Sequence, residues 1–434
     1  MSIRKTSTLQ HTESNLPTLT DFEEFSVENM YAKIYHVRHK MLTAQINFNA
    51  SVETHMDKGT PGLDLTDAIG YHYGQFPPAN LDYARLITPI TDAASALARY
   101  EQMLREMHNS ELLLAPLRRQ EALVSSRMEG TITTFDELLR YEADQDSDDP
   151  EPRQDVRNDT IEVFFYQRAM RQAQQMLQEG APFSEWMIRS AHKSLLSFGR
   201  GADKRPGEYK TDQNYLADTA KKKVLFIPIS PERVNDGMQN LMHYVDENPE
   251  GMLIKIAISH VEFEALHPFN DGNGRIGRMI ITLLLWKYGV ISAPHFYISG
   301  YLEQKKNEYI DKMRSVSARG EWTEWCIFFL RALEAQAMTN LETAENIREL
   351  YNEMRETFRV LLASQWSVNA LDFIFSQPVF RNNKFTNNSG IPRHVASRFA
   401  RILVENGLLK TVYPAAGRRP AMYAFEPLLR LVRA

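Results

Sequence analysis

Residues 267–279 of the chain read His-Pro-Phe-Asn-Asp-Gly-Asn-Gly-Arg-Ile-Gly-Arg-Met. Packed into this stretch are a base, a carboxylate suited to a hard metal, a glycine-flanked loop and two arginines. Together they are the parts needed to hold a nucleotide polyphosphate beside an incoming hydroxyl. Gly272 and Gly274 have no Cβ, so the backbone around Asn273 can curl into a nest of N–H groups that approaches phosphate oxygens closely. Asn273 adds an amide donor. A helix beginning at Gly274 would aim its free N–H groups and its dipole at the same place. Arg275 and Arg278 are three apart and leave the first turns of that helix on one face. Two planar guanidinium forks there suit the outer phosphates of a nucleoside triphosphate. Asp271, just before the nest, suits a Mg²⁺ that keeps most of its waters and bridges phosphates. His267, at the rim, titrates near neutrality and can take a proton from a hydroxyl. Phe269 is expected to face the other way and pin the loop to the core.

Three other readings of the loop fit less well. Gly272-x-Gly274-x-x-Gly277 formally matches a dinucleotide-binding fingerprint. That fingerprint needs a preceding strand and an acidic residue about twenty positions on. Here a helix precedes, and residues 294–298 are Pro-His-Phe-Tyr-Ile. A zinc site on His260 and His267 lacks further ligands at workable spacing. A merely structural turn would not gather a His, an Asp, an Asn and two arginines.

The elements that must position these residues are nearly all helical. Apolar residues recur at threes and fours over 80–127, with a break expected at Pro116, and again over 160–178, 182–198 and 231–246. Residues 252–266 form an almost continuous apolar helix that His267-Pro268 breaks. Residues 274–288 form another, with Ile276, Met279, Ile280, Leu283 and Leu284 on one stripe. Helices this apolar belong at the centre of a bundle. The β-signal before the C-terminus is confined to 205–231, where 209–216 and 224–229 flank a polar turn at 217–223. Residues 142–159 are acidic, hold two prolines and read as a solvated linker. From residue 371 the pattern becomes helix (370–375), turn (386–390), helix (392–406) and two short β-runs (409–413, 421–425). This is a winged-helix outline.

The chain has 434 residues, 43% of them hydrophobic, a formal net charge of −5 and one cysteine. That length accommodates two or three domains on a prior of roughly 100–200 residues each. The charge gives no overall basic field that would draw the chain onto nucleic acid or anionic lipid. Cys326 lies in Trp-Cys-Ile-Phe-Phe-Leu, which reads as a buried small hydrophobe in a reducing compartment. Residues 1–20 read as a polar, mobile arm, and no apolar run approaches the ~20 residues that span a bilayer. A cytoplasmic protein without membrane contact is expected. Residues 21–150 form an N-terminal helical region, 151–340 a catalytic core, and 341–434 a linker helix and winged-helix-like domain.

The motif His-Pro-Phe-x-Asp-Gly-Asn-Gly-Arg-x-x-Arg resembles the complete signature of the Fic family. The resemblance covers roughly residues 81–333 together with the tail. It implies a mainly α fold: a helical bundle with a small β-hairpin flap, followed here by the winged-helix-like domain. It further implies transfer of AMP from ATP to a Ser, Thr or Tyr hydroxyl of a target protein, with pyrophosphate leaving. On this chain His267 becomes the general base and Asp271 the Mg²⁺ ligand. The nucleotide contacts become Gly272, Asn273, Gly274, Arg275, Ile276, Gly277 and Arg278, with Tyr309 and Ile310 near the adenine. Ser125-Ser-Arg-Met-Glu129-Gly130 resembles the family's inhibitory motif, in which Glu129 pairs with Arg278 and keeps the γ-phosphate from seating. Residues 209–229 are similar to the flap that docks the target backbone, a form of strand addition. Leu216-Ala217-Asp218 stands where relatives often have Ile-Gly-Gly, and Tyr309-Ile310 where they often have Tyr-Tyr. Two alternatives accompany this reading. One is removal of AMP, or transfer of another phosphate-containing group, on the same fold. The other is a nucleotide-sensing regulator that binds DNA through 371–434, using Arg393, Arg398, Arg401, Arg418 and Arg419. DNA contact is not favoured, because fold alone does not assign it and Pro392-Arg-His394 offers no base-reading pair. An interface role for the tail is preferred, and a homodimer is left open.

Overall fold

A computed structural model describes residues 64–433 apart from 108, 146–156, 200, 219–221 and 248. The N-terminal arm and the middle of the acidic segment lie outside the described residues. Helix α1 (Tyr83–Glu106) starts at Asp82, whose carboxylate accepts the Arg85 N–H, and it carries Pro89 in its second turn. The expected break at Pro116 comes earlier. The chain leaves α1 at Met107, makes a single turn, α2 (Ser110–Leu113), and re-enters helix as α3 (Ala115–Met128). Pro116 therefore opens a helix, where its missing N–H would have had no partner anyway. Then follow α4 (Phe135–Gln145), α5 (Asn158–Gln178), α6 (Glu185–Leu195) and α7 (Val234–Glu247). The acidic segment is only partly a solvated linker. Glu142 and Asp144 belong to α4 and pair with Arg119 and Arg381, and Asp159 accepts the Ile132 N–H.

The bundle is built on α8 (Met252–Leu266) and α9 (Asn273–Lys287). In α8 every residue except Met252 and Glu264 is buried, as expected of a helix that is apolar all round. Helix α9 packs on α3, α5 and α6, and α8 packs on α7 and on α12 (Trp322–Leu362). Between α9 and α12 lie α10 (Ser299–Gln304) and α11 (Lys306–Arg319). Helix α12 is 41 residues long, runs along α1 and crosses residue 341 without a break. Trp325, fully buried at its start, donates its indole N–H to the Ala257 carbonyl at 2.7 Å. This satisfies the one polar atom of a large apolar side chain.

Strands β1 (Ile69–Gly70), β2 (Leu216–Asp218) and β3 (Lys223–Ile227) form a sheet of order β1-β3-β2. β1 runs parallel to β3, with Ile69 opposite Phe226, and β2 is antiparallel to it, with Asp218 opposite Lys223. Expectation placed the first flap strand at 209–216, but strand begins only at Leu216. Two residues before it, Lys210 and Asn214, bond the central loop instead, through the Lys210 amide and both side chains.

The tail runs α13 (Ser367–Ser376), β4 (Val379–Arg381), α14 (Asn382–Asn388), α15 (Arg393–Glu405), β5 (Lys410–Tyr413), β6 (Met422–Ala424) and α16 (Glu426–Val432). Its antiparallel sheet has the order β4-β6-β5. This is the expected order of elements with three additions. β4 and the final helix α16 were not anticipated, and much of the expected turn at 386–390 is helix α14. Phe373, Phe375, Phe380, Phe385 and Phe425 pack into its core. Among the described residues no helix is long and apolar enough to cross a membrane.

Candidate active site

The loop between α8 and α9 is held from several sides. His267 ends α8 in the left-handed conformation (φ 44°, ψ 60°), a costly geometry for a residue with a Cβ, and Gly272 opens α9 with φ 79°. Phe269 is fully buried, as expected, and lies flat on the His192 ring at 3.7 Å between centroids. His192 accepts the Gly207 N–H on Nδ1 and therefore donates from Nε2 to the Asp271 carbonyl at 2.9 Å. Burial keeps it neutral, with a pKa lowered to about 4. Below the loop, Lys210 Nζ donates to the Leu266 carbonyl, and its backbone N–H donates to Pro268. Asn214 Nδ2 donates to the carbonyls of His267 and Phe269. Lys210 and Asn214 are themselves joined at 2.7 Å. Four successive carbonyls, 266 to 269, are thus held by the base of the flap.

Asn273 corrects an expectation. Its side chain closes a ring with Phe269, accepting the Phe269 N–H at 2.8 Å and donating to the Phe269 carbonyl at 2.7 Å. It shapes the nest instead of offering a free donor to it. Ile276 contributes no side chain to the site either: it is buried in the core, and its N–H is taken by the Gly272 carbonyl. The N–H groups of the first turn of α9 remain as the anion-facing donors.

Both arginines are buried and turned to the site. Arg275 Nη2 lies 3.2 Å from Asp271 Oδ1, and Arg275 Nη1 lies 3.8 Å from the buried Glu162. Its Nε and Nη1 have no hydrogen-bond partner. Arg278 donates from Nε to the Ser125 hydroxyl, and from Nη2 to the Ser125 carbonyl and to Glu129 Oε1 at 2.7 Å. Ser125 and Glu129 thus lie on one side of α3, which ends at Met128, with Gly130 (φ 86°) turning the chain away. The Glu129 carboxylate also sits over the start of α9, where a Cβ added to Gly274 would collide with Oε1. Burial pushes the Glu129 pKa up, but Arg278 foremost, with Arg275 and His267, outweighs it and holds the carboxyl below its ordinary value. A carboxylate of the chain's own therefore sits between Arg278 and the start of α9.

His267 lies at the edge of this site with Nδ1 3.3 Å from the Glu264 carbonyl. A carbonyl only accepts, so Nδ1 carries the proton and Nε2 keeps its lone pair. Burial first, then the charge of Lys210, lowers its pKa to about 4, so the ring is neutral at physiological pH. The Asp271 side chain is 39% exposed at the mouth. Among the described residues no three metal-ligating side chains gather. A lone, part-exposed carboxylate is the kind of ligand that a Mg²⁺ held mainly by water and phosphate oxygens would take. Of the adenine pair, Ile310 lines an open apolar pocket beside the flap. Tyr309 is turned inward, and its hydroxyl bonds His260 Nε2 at 2.7 Å in an aromatic cluster with Trp325. This partner accounts for His260 without any metal role. Lys210, Asn214, His192 and Glu162 were missed from the sequence. Only Lys210 and Asn214, four apart within the expected hairpin, left a local signal.

A helical bundle around this loop, crossed by a short hairpin, defines a Fic-domain protein. Residues 182–285 match the Fic/DOC family and residues 87–175 match the Fic/DOC family N-terminal region, so the chain carries a Fic N-terminal region followed by a Fic domain. It is 24% identical over 266 residues to a probable protein adenylyltransferase of Aquifex aeolicus, covering 58% of this chain and 78% of that one. It is 29% identical over 105 residues to protein adenylyltransferase fic-1 of Caenorhabditis briggsae, covering 24% of this chain and only 19% of the relative. A Fic family protein from Desulfovibrio desulfuricans shares the fold, with a TM-score of 0.50 at 19% identity over 80% of this chain and 98% of that one.

Proposed function

We propose that this protein is a protein adenylyltransferase that moves AMP from Mg-ATP to a Ser, Thr or Tyr hydroxyl of a target protein, which can be the chain itself, and that Glu129 holds it inactive. The observation that carries the reading is the anion site at the start of α9, where two buried arginines converge and a carboxylate occupies the space. With Glu129 withdrawn, Arg278 is released to the outermost phosphate, and the unspent donors of Arg275 take its neighbour. Asp271 would hold Mg²⁺, which supplies charge neutralisation to the polyphosphate when bound.

The reaction balances with groups of this chain. Neutral His267 accepts the hydroxyl proton on Nε2 as the target oxygen bonds to the α-phosphorus. The bond from that phosphorus to the bridging oxygen breaks, and pyrophosphate departs with its charge balanced by the arginines and the N–H nest. The choice of the α-phosphorus follows the family resemblance. The target strand is expected along the outer edge of β2, because the other side of β2 is taken by β3.

Intact-mass measurement of the Glu129→Gly variant with ATP tests the reading. One AMP added to the chain or to an offered protein is expected. The reading is overturned if no protein gains AMP, or if the adduct keeps the γ-phosphate.

A further inference from the structure

A cavity of about 210 Å³ lies against the first half of α3, between α4, α5 and the start of the tail. Arg118, Arg119 and Arg171 line it together with Glu121, Glu142 and Tyr297. Both carboxyl groups already have donors. Glu142 accepts from Arg119 and Gln167, and Glu121 accepts from the amide and the hydroxyl of Ser299. Arg118 bonds the side chain and carbonyl of Glu111, and Arg119 bonds Glu142 and the Ser376 carbonyl. Each guanidinium therefore has N–H groups beyond those bonds. Tyr297 is 5% exposed, and its hydroxyl is buried without a hydrogen-bond partner. Burial pushes its pKa well above the ordinary value, so it stays an O–H donor, and Arg118 is first among the charges acting on it. A buried donor left without an acceptor is costly, and a cavity beside it marks where an acceptor belongs.

We propose that this cavity binds a small organic carboxylate, with Arg118 and the Tyr297 hydroxyl as donors to its oxygens. The donors in reach outnumber the acceptors, so the missing partner is an acceptor-rich group. Three arginines against two glutamates leave the lining with a surplus of one positive charge. That suits a monoanion. A phosphate dianion would bring its second charge against two carboxyl groups in a confined space. Phe164 and Met170 also line the cavity and offer apolar surface to the body of the ligand. Roughly 150 Å³ is enough for a benzene ring, so a molecule up to the size of benzoate fits. Its contacts would join α3 to the segment that enters α10, while Gln377 and Val379 bring the tail to the same space. The site is separate from the phosphate-facing end of α3, and it is independent of the reading of that end as an inhibitory device.

Titration calorimetry of the full chain with acetate, butyrate and benzoate tests this, each set against its amide and against inorganic phosphate. At least one carboxylate should bind, and its amide should bind about tenfold or more weakly, the scale of a hydrogen bond to a charged group. Tyr297→Phe removes an oxygen that bonds nothing in the protein. Its Tm should hold while carboxylate affinity falls about tenfold. Arg118→Met keeps the apolar stem and should weaken binding at least as much. A Tyr297→Phe chain with a lowered Tm and unchanged affinity would show that the hydroxyl serves the fold, and would overturn the proposal. So would binding of none of the three carboxylates, binding of phosphate in their place, or an affinity that survives both substitutions. None of these measurements uses ATP, so their outcome leaves the enzyme reading where it stands.

Discussion

Under the proposed function, Glu129 and the nucleotide's outer phosphates would compete for one guanidinium and one helix terminus, and inhibition would be a coupling between two occupants of one site. Glu129→Gly should raise AMP transfer by about 5–150-fold, the range of a ~1–3 kcal/mol coupling, measured with α-labelled ATP. His267→Ala in that background should abolish it, since the group that takes the hydroxyl proton is lost. The pH behaviour follows from the two shifts. Glu129 has a lowered pKa, so its contact with Arg278 is complete above the ordinary carboxylate range and is lost only as pH falls through the lowered value. The ratio of variant to wild-type rate should therefore be flat between about pH 5 and pH 8. His267, lowered to about 4, stays a competent base down to that pH, so the acid limb of the variant's rate profile should fall near pH 4 and not near 6.5. An acid limb at the ordinary histidine value would show that the ring is not desolvated as the geometry requires.

Among the elements, the flap and the catalytic loop form one mechanical unit. Asn214 bonds the carbonyls on both sides of Pro268, and Lys210 bonds those at 266 and 268. The left-handed bend at His267 is held in place by these contacts and by the stack of Phe269 on His192. Asn214→Ala removes two donors from buried carbonyls and frees the bend. It should lower kcat by roughly 10²-fold, as expected when a catalytic group shifts by about an ångström, with a smaller change in KM for ATP. A steady-state assay in the Glu129→Gly background measures it, and an unchanged kcat would mean that the flap base does not position His267. The sequence offered these residues only as part of a hairpin. That they are drawn out of the strand pattern follows from the unpaired carbonyls across the loop, which no local window contains.

At the scale of the molecule, the tail is strapped to the region that carries Glu129. Arg119 of α3 donates to the Ser376 carbonyl at the end of α13 and pairs with Glu142 of α4. Arg381 of β4 reaches Asp144 of α4 and the Pro420 carbonyl, and Arg433 pairs with Asp136. Arg381 is almost fully buried, so Arg381→Ala leaves Asp144 and a carbonyl short of partners. It should cost about 1–3 kcal/mol, read as a fall in Tm of several degrees. The arginines of α15 and of the β5–β6 hairpin, Arg393, Arg398, Arg401, Arg418 and Arg419, are exposed.

The loop at 267–272 and the two central helices it joins were legible from the chain alone. A dense local motif and an unbroken apolar period need no distant information, and the Ser125–Glu129 spacing already put both side chains on one helical face. The long helix α12, strand β1, the single turn α2 and the supports at His192, Glu162, Lys210 and Asn214 were not legible, because each depends on a partner tens of residues away. Sequence also made Asn273 a donor and Tyr309 a pocket residue. Packing turned both inward, one to hold Phe269 and the other to satisfy a buried histidine. Residue types set which chemistry this protein can attempt. Which of those residues face the cleft, and which are spent on holding it open, was decided by long-range hydrogen bonds and burial that exist only once the chain is folded.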